Sequence, residues 1–142
     1  MDIEIPQTLE QWNRAGADYL PGLLGLDFTK VEPDEVVARL AIRKAIDSWN
    51  GFLHAGSIVT LADTCCSYGT VRSLPQGAIG FTTVELKSNF FGSVREGTIV
   101  CVARPLHKGR TTQVWDASVT PEGATKPIAQ FRNTQLILWP KG

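Results

Sequence analysis

The rhythm of apolar and polar positions changes several times along this chain. Residues 35–42 alternate strictly. Val36, Ala38, Leu40 and Ile42 form one set, and Val37, Arg39, Ala41 and Arg43 form the other. That is the period of a strand with one buried face. Residues 23–31 read as a strand before it, with Pro33-Asp34 as the turn of a hairpin. Residues 52–70 are mostly apolar or small, and Ile58, Leu61, Ala62 and Cys65 recur at helical spacing. They predict one long helix that runs out near Leu74, where Pro75-Gln76-Gly77 makes a turn. Four strand-like stretches follow, at 78–91, 97–106, 110–120 and 126–139. Their separators are Arg95-Glu96-Gly97, His107-Lys108-Gly109 and Pro121-Glu122-Gly123, the punctuation of consecutive antiparallel strands. Ahead of everything, Thr8-Leu9-Glu10-Gln11 is a capping box. It predicts a short helix with Leu9, Trp12, Ala15, Tyr19 and Leu20 as packing residues, stopped by Pro21-Gly22. The order implies an α+β domain over residues 1–142: a curved antiparallel sheet packed against one long central helix, with a short N-terminal helix. A helix so apolar needs cover on several sides. The sheet supplies much of it, and a dimer could supply the rest.

Composition narrows the function. A chain of 142 residues that is 43% hydrophobic and 20% charged can bury a real core. Lys plus Arg and Asp plus Glu number 14 each, so no overall field favours nucleic acid or a membrane surface. No apolar run is long enough to span a bilayer. The start, Met1-Asp2-Ile3-Glu4-Ile5-Pro6, is acidic without an apolar signal core, so a cytoplasmic location is expected. The three Cys include the adjacent Cys65 and Cys66, which are poorly placed to pair and read as small buried filler. His54 and His107 fit no metal-ligand spacing, so no metal is expected. No phosphate-binding glycine motif is present.

The chemistry lies along the long helix. Its first N–H groups lack internal partners and suit a carbonyl oxygen that turns into an oxyanion. Asp63 is its lone carboxylate, and Ser67 follows one turn later on the same face. Gly56 precedes Asp63 by about two turns. A carboxylate so placed can attack a carbonyl or activate water. It can equally be exposed, or satisfied by Thr60 or Ser67. The polar loop 43–53, with Asp47, Ser48, Trp49, Asn50 and Gly51, suits substrate contacts. As a plain connector it would hold a turn at Asn50-Gly51 and plug Trp49 into the core.

Over residues 23–138 the chain resembles the hotdog-fold acyl-CoA thioesterases. It is most similar to the 4-hydroxybenzoyl-CoA and phenylacetate-degradation thioesterases. The residues that carry the likeness are Leu53-His54-Ala55-Gly56, then six residues, then Asp63. Two further stretches agree, Asn89 through Gly97 and Gly109-Arg110-Thr111-Thr112 leading to Val114-Trp115-Asp116. The resemblance implies that Asp63 attacks the thioester carbon or activates water, and that the N–H of Ala55, where the family has Gly, holds the thioester oxygen. His54 and Gly56 would shape the start of the helix, and Ser67 would steer water. Relatives place Asn or Gln six residues before the His. Ser48 stands there without a gap, and Asn50 serves if the loop path differs by two residues. Lys108, Arg110 and Thr111, or Lys87 and Arg95, would meet the phosphates of coenzyme A; a solvated basic turn is the plainer reading. Phe52, Leu53, Val59 and residues 81–86 would line the acyl pocket. Coenzyme A enters as part of the substrate, with no other cofactor. The resemblance further implies a homodimer with sites between subunits, Asp63 of one working with Ala55 of the other, and commonly a pair of dimers, a homotetramer. Competing readings are a non-enzymatic acyl-CoA binder and, last, a hydratase. The hydratases pair a His with a carboxylate, an arrangement that His54, nine residues before Asp63, does not match.

Overall fold

The structure is a computed structural model, and it describes residues 4–142. Its elements run α1 (Leu9–Ala15), α2 (Leu20–Leu24), β1 (Asp27–Glu32), β2 (Glu35–Ala41), a 3-10 turn (Lys44–Ile46), α3 (Ala55–Arg72), β3 (Gly80–Phe90), β4 (Thr98–Lys108), β5 (Thr112–Pro121) and β6 (Ala129–Leu138). The strands form one antiparallel sheet in the order β1-β2-β4-β5-β6-β3. α3 packs across its inner face, which is the hotdog arrangement.

The alternation in the sequence decides which face is inward. Val36, Ala38 and Leu40 of β2, Ile99, Cys101 and Ala103 of β4, and Trp115, Ala117 and Val119 of β5 are buried. They meet Ile58, Leu61, Ala62, Cys65 and Cys66 of α3, also buried. At Gly69 the helix lies directly against the sheet. A Cβ placed there would come within 2.4 Å of the Trp115 ring. Burial pushes the thiols of Cys65 and Cys66 well above their ordinary range, and Cys101 pushes Cys65 further. Neither is a nucleophile here.

Three expectations need correction. First, Pro21-Gly22 does not stop a helix. α1 ends at Ala15, and Pro21 opens α2, because a proline in the first helical turn forfeits only an N–H that has no partner anyway. Gly25, at φ 87°, ends α2 in the left-handed conformation, and β1 begins only at Asp27. Of the expected packing residues only Trp12 is buried; Leu9, Ala15, Tyr19 and Leu20 are exposed. Second, α3 starts at Ala55. Residues 52–54 lead in as extended chain, with Leu53 N–H bonded to Val94 O at 2.9 Å. Third, β3 and β4 are not a hairpin. Phe91 N–H bonds Ile128 O, and Ile42 N–H bonds Gly97 O, so residues 91–97 cross the end of the sheet and deliver β4 to β2. β3 is left at the far edge beside β6.

Gly69→Ala is expected to destabilise the fold by roughly 1–3 kcal/mol, read from urea melts, because a methyl must displace a fully buried ring. All three thiols are expected to resist a thiol reagent in the native protein and to react together on unfolding.

Candidate active site

The start of α3 is built by His54. It is the N-cap, and its Nδ1 accepts from Gly56 N–H at 2.7 Å, so the proton of the neutral ring sits on Nε2. The ring folds tightly over the helix end; a Cβ on Gly56 would stand 2.9 Å from Nδ1. His54 O accepts from Ser57 N–H, and more loosely from Ile58 N–H. Among the described residues this leaves the N–H of Ala55 without a partner, on an exposed residue.

Asp63 lies two turns along, half-buried. Its Oδ1 accepts from Asn133 Nδ2 on β6 at 3.0 Å. One turn further, Ser67 Oγ accepts from Gln135 Nε2 at 3.3 Å, and Gln135 Oε1 accepts from Thr83 Oγ1 on β3 at 2.6 Å. Thr60, Thr64 and Thr70 turn their hydroxyls to the carbonyl one turn back. Ser67 faces the sheet instead. Leu86 of β3 stands opposite Asn133 and is largely exposed. Thus Asp63, Ser67 and an apolar strand face come together in one chain. Ala55 does not join them: it stands eight helical steps before Asp63, about 12 Å along the axis.

The loop residues sit at the helix start, away from Asp63. Ser48 to Gly51 is a turn closed by Gly51 N–H to Ser48 O at 2.9 Å, with Gly51 at φ 83°. Asn50 Oδ1 accepts from its own chain at Phe52 N–H, 3.3 Å. Trp49 is no core plug; its ring is 100% exposed. The turn beside it holds the indole out of the protein.

The cations lie in four places. Lys108 is paired with Asp34 at 2.6 Å. Arg110 stacks on Trp139 at 4.5 Å, beside Thr111, whose carbonyl accepts from Ile137 N–H. Arg95 covers Phe52 at 3.8 Å next to the helix start, and Lys87 stands on the outward side of β3 opposite Arg132.

A family model described as the Thioesterase superfamily matches residues 50–128, which hold the helix start, Asp63, Ser67 and strands β3 to β5, and stops just before β6. The chain belongs to the thioesterase superfamily. This thioesterase is 31% identical over 117 residues to the 1,4-dihydroxy-2-naphthoyl-CoA hydrolase of Escherichia coli, covering 81% of this chain and 84% of that one. It is 28% identical over 130 residues to the proofreading thioesterase EntH of Cronobacter turicensis, covering 92% and 94%. A crystal structure of a mutant thioesterase from Pseudomonas aeruginosa superimposes with a TM-score of 0.87 at 27% identity, covering 95% of this chain and 96% of that one. The family and its chemistry, thioester hydrolysis, are thereby established for this chain.

Asn133 and Gln135 were missed in the sequence because residues 132–135 are polar on both faces and hide the alternation. The signal was there: both share parity with the apolar Phe131 and Ile137.

His54→Ala is expected to lower stability by about 1 kcal/mol in urea melts, as loss of a helix N-cap does. His54→Asn, which can cap, is expected to recover most of it.

Proposed function

We propose that this thioesterase hydrolyses an aryl-CoA thioester at a site shared between two copies of the chain, with coenzyme A bound as part of the substrate. The observation that carries the reading is the separation of the two halves of the chemistry. The open Ala55 N–H and the Asp63 carboxylate are about 12 Å apart along α3, too far for one carbonyl group to meet both. A two-fold axis that pairs copies of α3 antiparallel sets Ala55 of one chain beside Asp63 of the other. The edge strand β3 supports such pairing. It exposes Val84, Leu86 and Phe90, and among the described residues one of its edges has no neighbour.

In this site the thioester oxygen takes the partner's Ala55 N–H. Asp63 accepts a proton from water as the water oxygen adds to the carbonyl carbon. The C–S bond then breaks, and the leaving thiolate recovers that proton. Direct attack by Asp63 would give a mixed anhydride that water opens, with the same products. Ser67 steers the water. Leu86 and Val84 of β3, with Phe52 and Val59, line the acyl pocket, and Leu53 packs beneath them. The aryl preference follows the naming of the relatives for 1,4-dihydroxy-2-naphthoyl-CoA. Arg95, Arg110 and Lys87 are the cations left for the phosphates, since Lys108 is engaged by Asp34.

Thiol release is to be measured over aryl and aliphatic acyl-CoAs. Asp63→Asn is expected to fold and lose orders of magnitude in turnover; near-normal turnover removes Asp63 from the mechanism. Ala55→Pro is the sharper probe. Position 55 is the first residue of α3, where proline fits, and His54 at φ −66° and ψ 134° already has the extended form favoured before proline. The variant should fold, lack only the N–H, and lose roughly 10²–10³ in kcat. Coexpressed Asp63→Asn and Ala55→Pro chains should regain activity in mixed dimers, since one site then has both groups. Failure of that complementation excludes a shared site. Silence of the wild type with every ester, while the esters still raise its Tm, favours an acyl-CoA binder.

A further inference from the structure

Asn133 is fully buried, and among the described residues its Oδ1 has no hydrogen-bond partner. Its Nδ2 donates to Asp63 at 3.0 Å. An ionised carboxylate only accepts, so the amide must turn its NH₂ to Asp63 and its carbonyl into the protein. An unpartnered buried carbonyl opposes folding, and a leucine of similar volume would fill the place without that penalty. Packing therefore does not account for an asparagine here.

We propose that Asn133 is a positioning residue for the Asp63 carboxylate, a role that rests on the hydrolytic reading above. The carboxylate end of an Asp turns in a broad, shallow rotor well. One N–H from a fixed donor pins Oδ1 and leaves Oδ2 to face water or thioester. Asn133 is such a donor because it sits within the sheet, opposite Leu86 of β3 and Trp115 of β5. Gln135, two residues on, holds Ser67 in the same manner, so β6 presents one amide to Asp63 and one to Ser67.

The test is Asn133→Leu in the full-length protein, with 1,4-dihydroxy-2-naphthoyl-CoA and benzoyl-CoA as probes. Its Tm should equal or exceed that of the wild type, while kcat falls roughly 10- to 100-fold with KM unchanged. In an Asp63→Asn background the same substitution should cost nothing more, because the group it positions is gone. The bond is read without turnover by infrared spectroscopy. The carboxylate band that disappears in Asp63→Asn should shift in Asn133→Leu. If the leucine does not fold, Asn133→Ala replaces it. An unshifted band, an unchanged kcat, or an equal loss in the Asp63→Asn background overturns the role of Asn133. Absence of wild-type turnover with both probes overturns the aryl-CoA reading on which the role rests, and the two failures are told apart by the wild-type control.

Discussion

The close approach of α3 to Trp115 at Gly69 sets the rest of the molecule. With no side chain at 69 the helix settles onto the indole ring, which is itself fully buried. Trp115 Nε1 donates to Gln113 Oε1 at 2.8 Å, and Gln113 Nε2 donates to Ser73 O at the end of the helix, 3.1 Å. The height of α3 and its position along its own axis are thus fixed by one contact and one shared amide. Interiors pack too densely for such a contact to shift alone.

That placement aligns two unlike ladders. Residues four apart on a helix are about 6 Å apart along its axis. Residues two apart on a strand are separated by about 6.6 Å. Asp63 and Ser67 on α3 therefore meet Asn133 and Gln135 on β6 rung for rung. Polar groups here occupy inward positions that elsewhere in the sheet hold Val, Ala or Phe. The fold carries that polarity in its interior beside Asp63 and Ser67, and Gln113 opposite Gln135 continues it onto β5. The same geometry leaves the open N–H of Ala55 at the other end of the helix, which is what the proposed sharing of the site between two chains rests on.

Much of this was legible in the chain. The alternation of 35–42 gave β2 and its buried face, and the capping box gave the start of α1, both through contacts within a few residues. The spacing of Asp63 and Ser67 on one face followed from helical period alone. The failures share a cause. Pro21 and Gly22 carry the same local signal whether they end a helix or open one, and only packing against Ala17 distinguishes the two: a Cβ at Gly22 would stand 1.9 Å from Ala17 O. Trp49 looks like core by its size, but the turn holding it faces outward. The turn signal at Arg95-Glu96-Gly97 is real, yet the strands on either side of it belong to opposite parts of the sheet.

The sequence by itself determined the six strands, the long helix and their order, the family likeness and the line of groups along α3, because each depends on periodicity or on neighbours in the chain. Tertiary structure decided the strand order, the burial of Asn133 and Gln135, and the pairing of Asp63 with a residue 70 positions away. It also decided that His54 folds back on Gly56 and leaves Ala55 as the open donor. Those outcomes depend on which faces pack together and how closely. That is a property of shape and volume in the assembled core, which no local pattern of residues encodes.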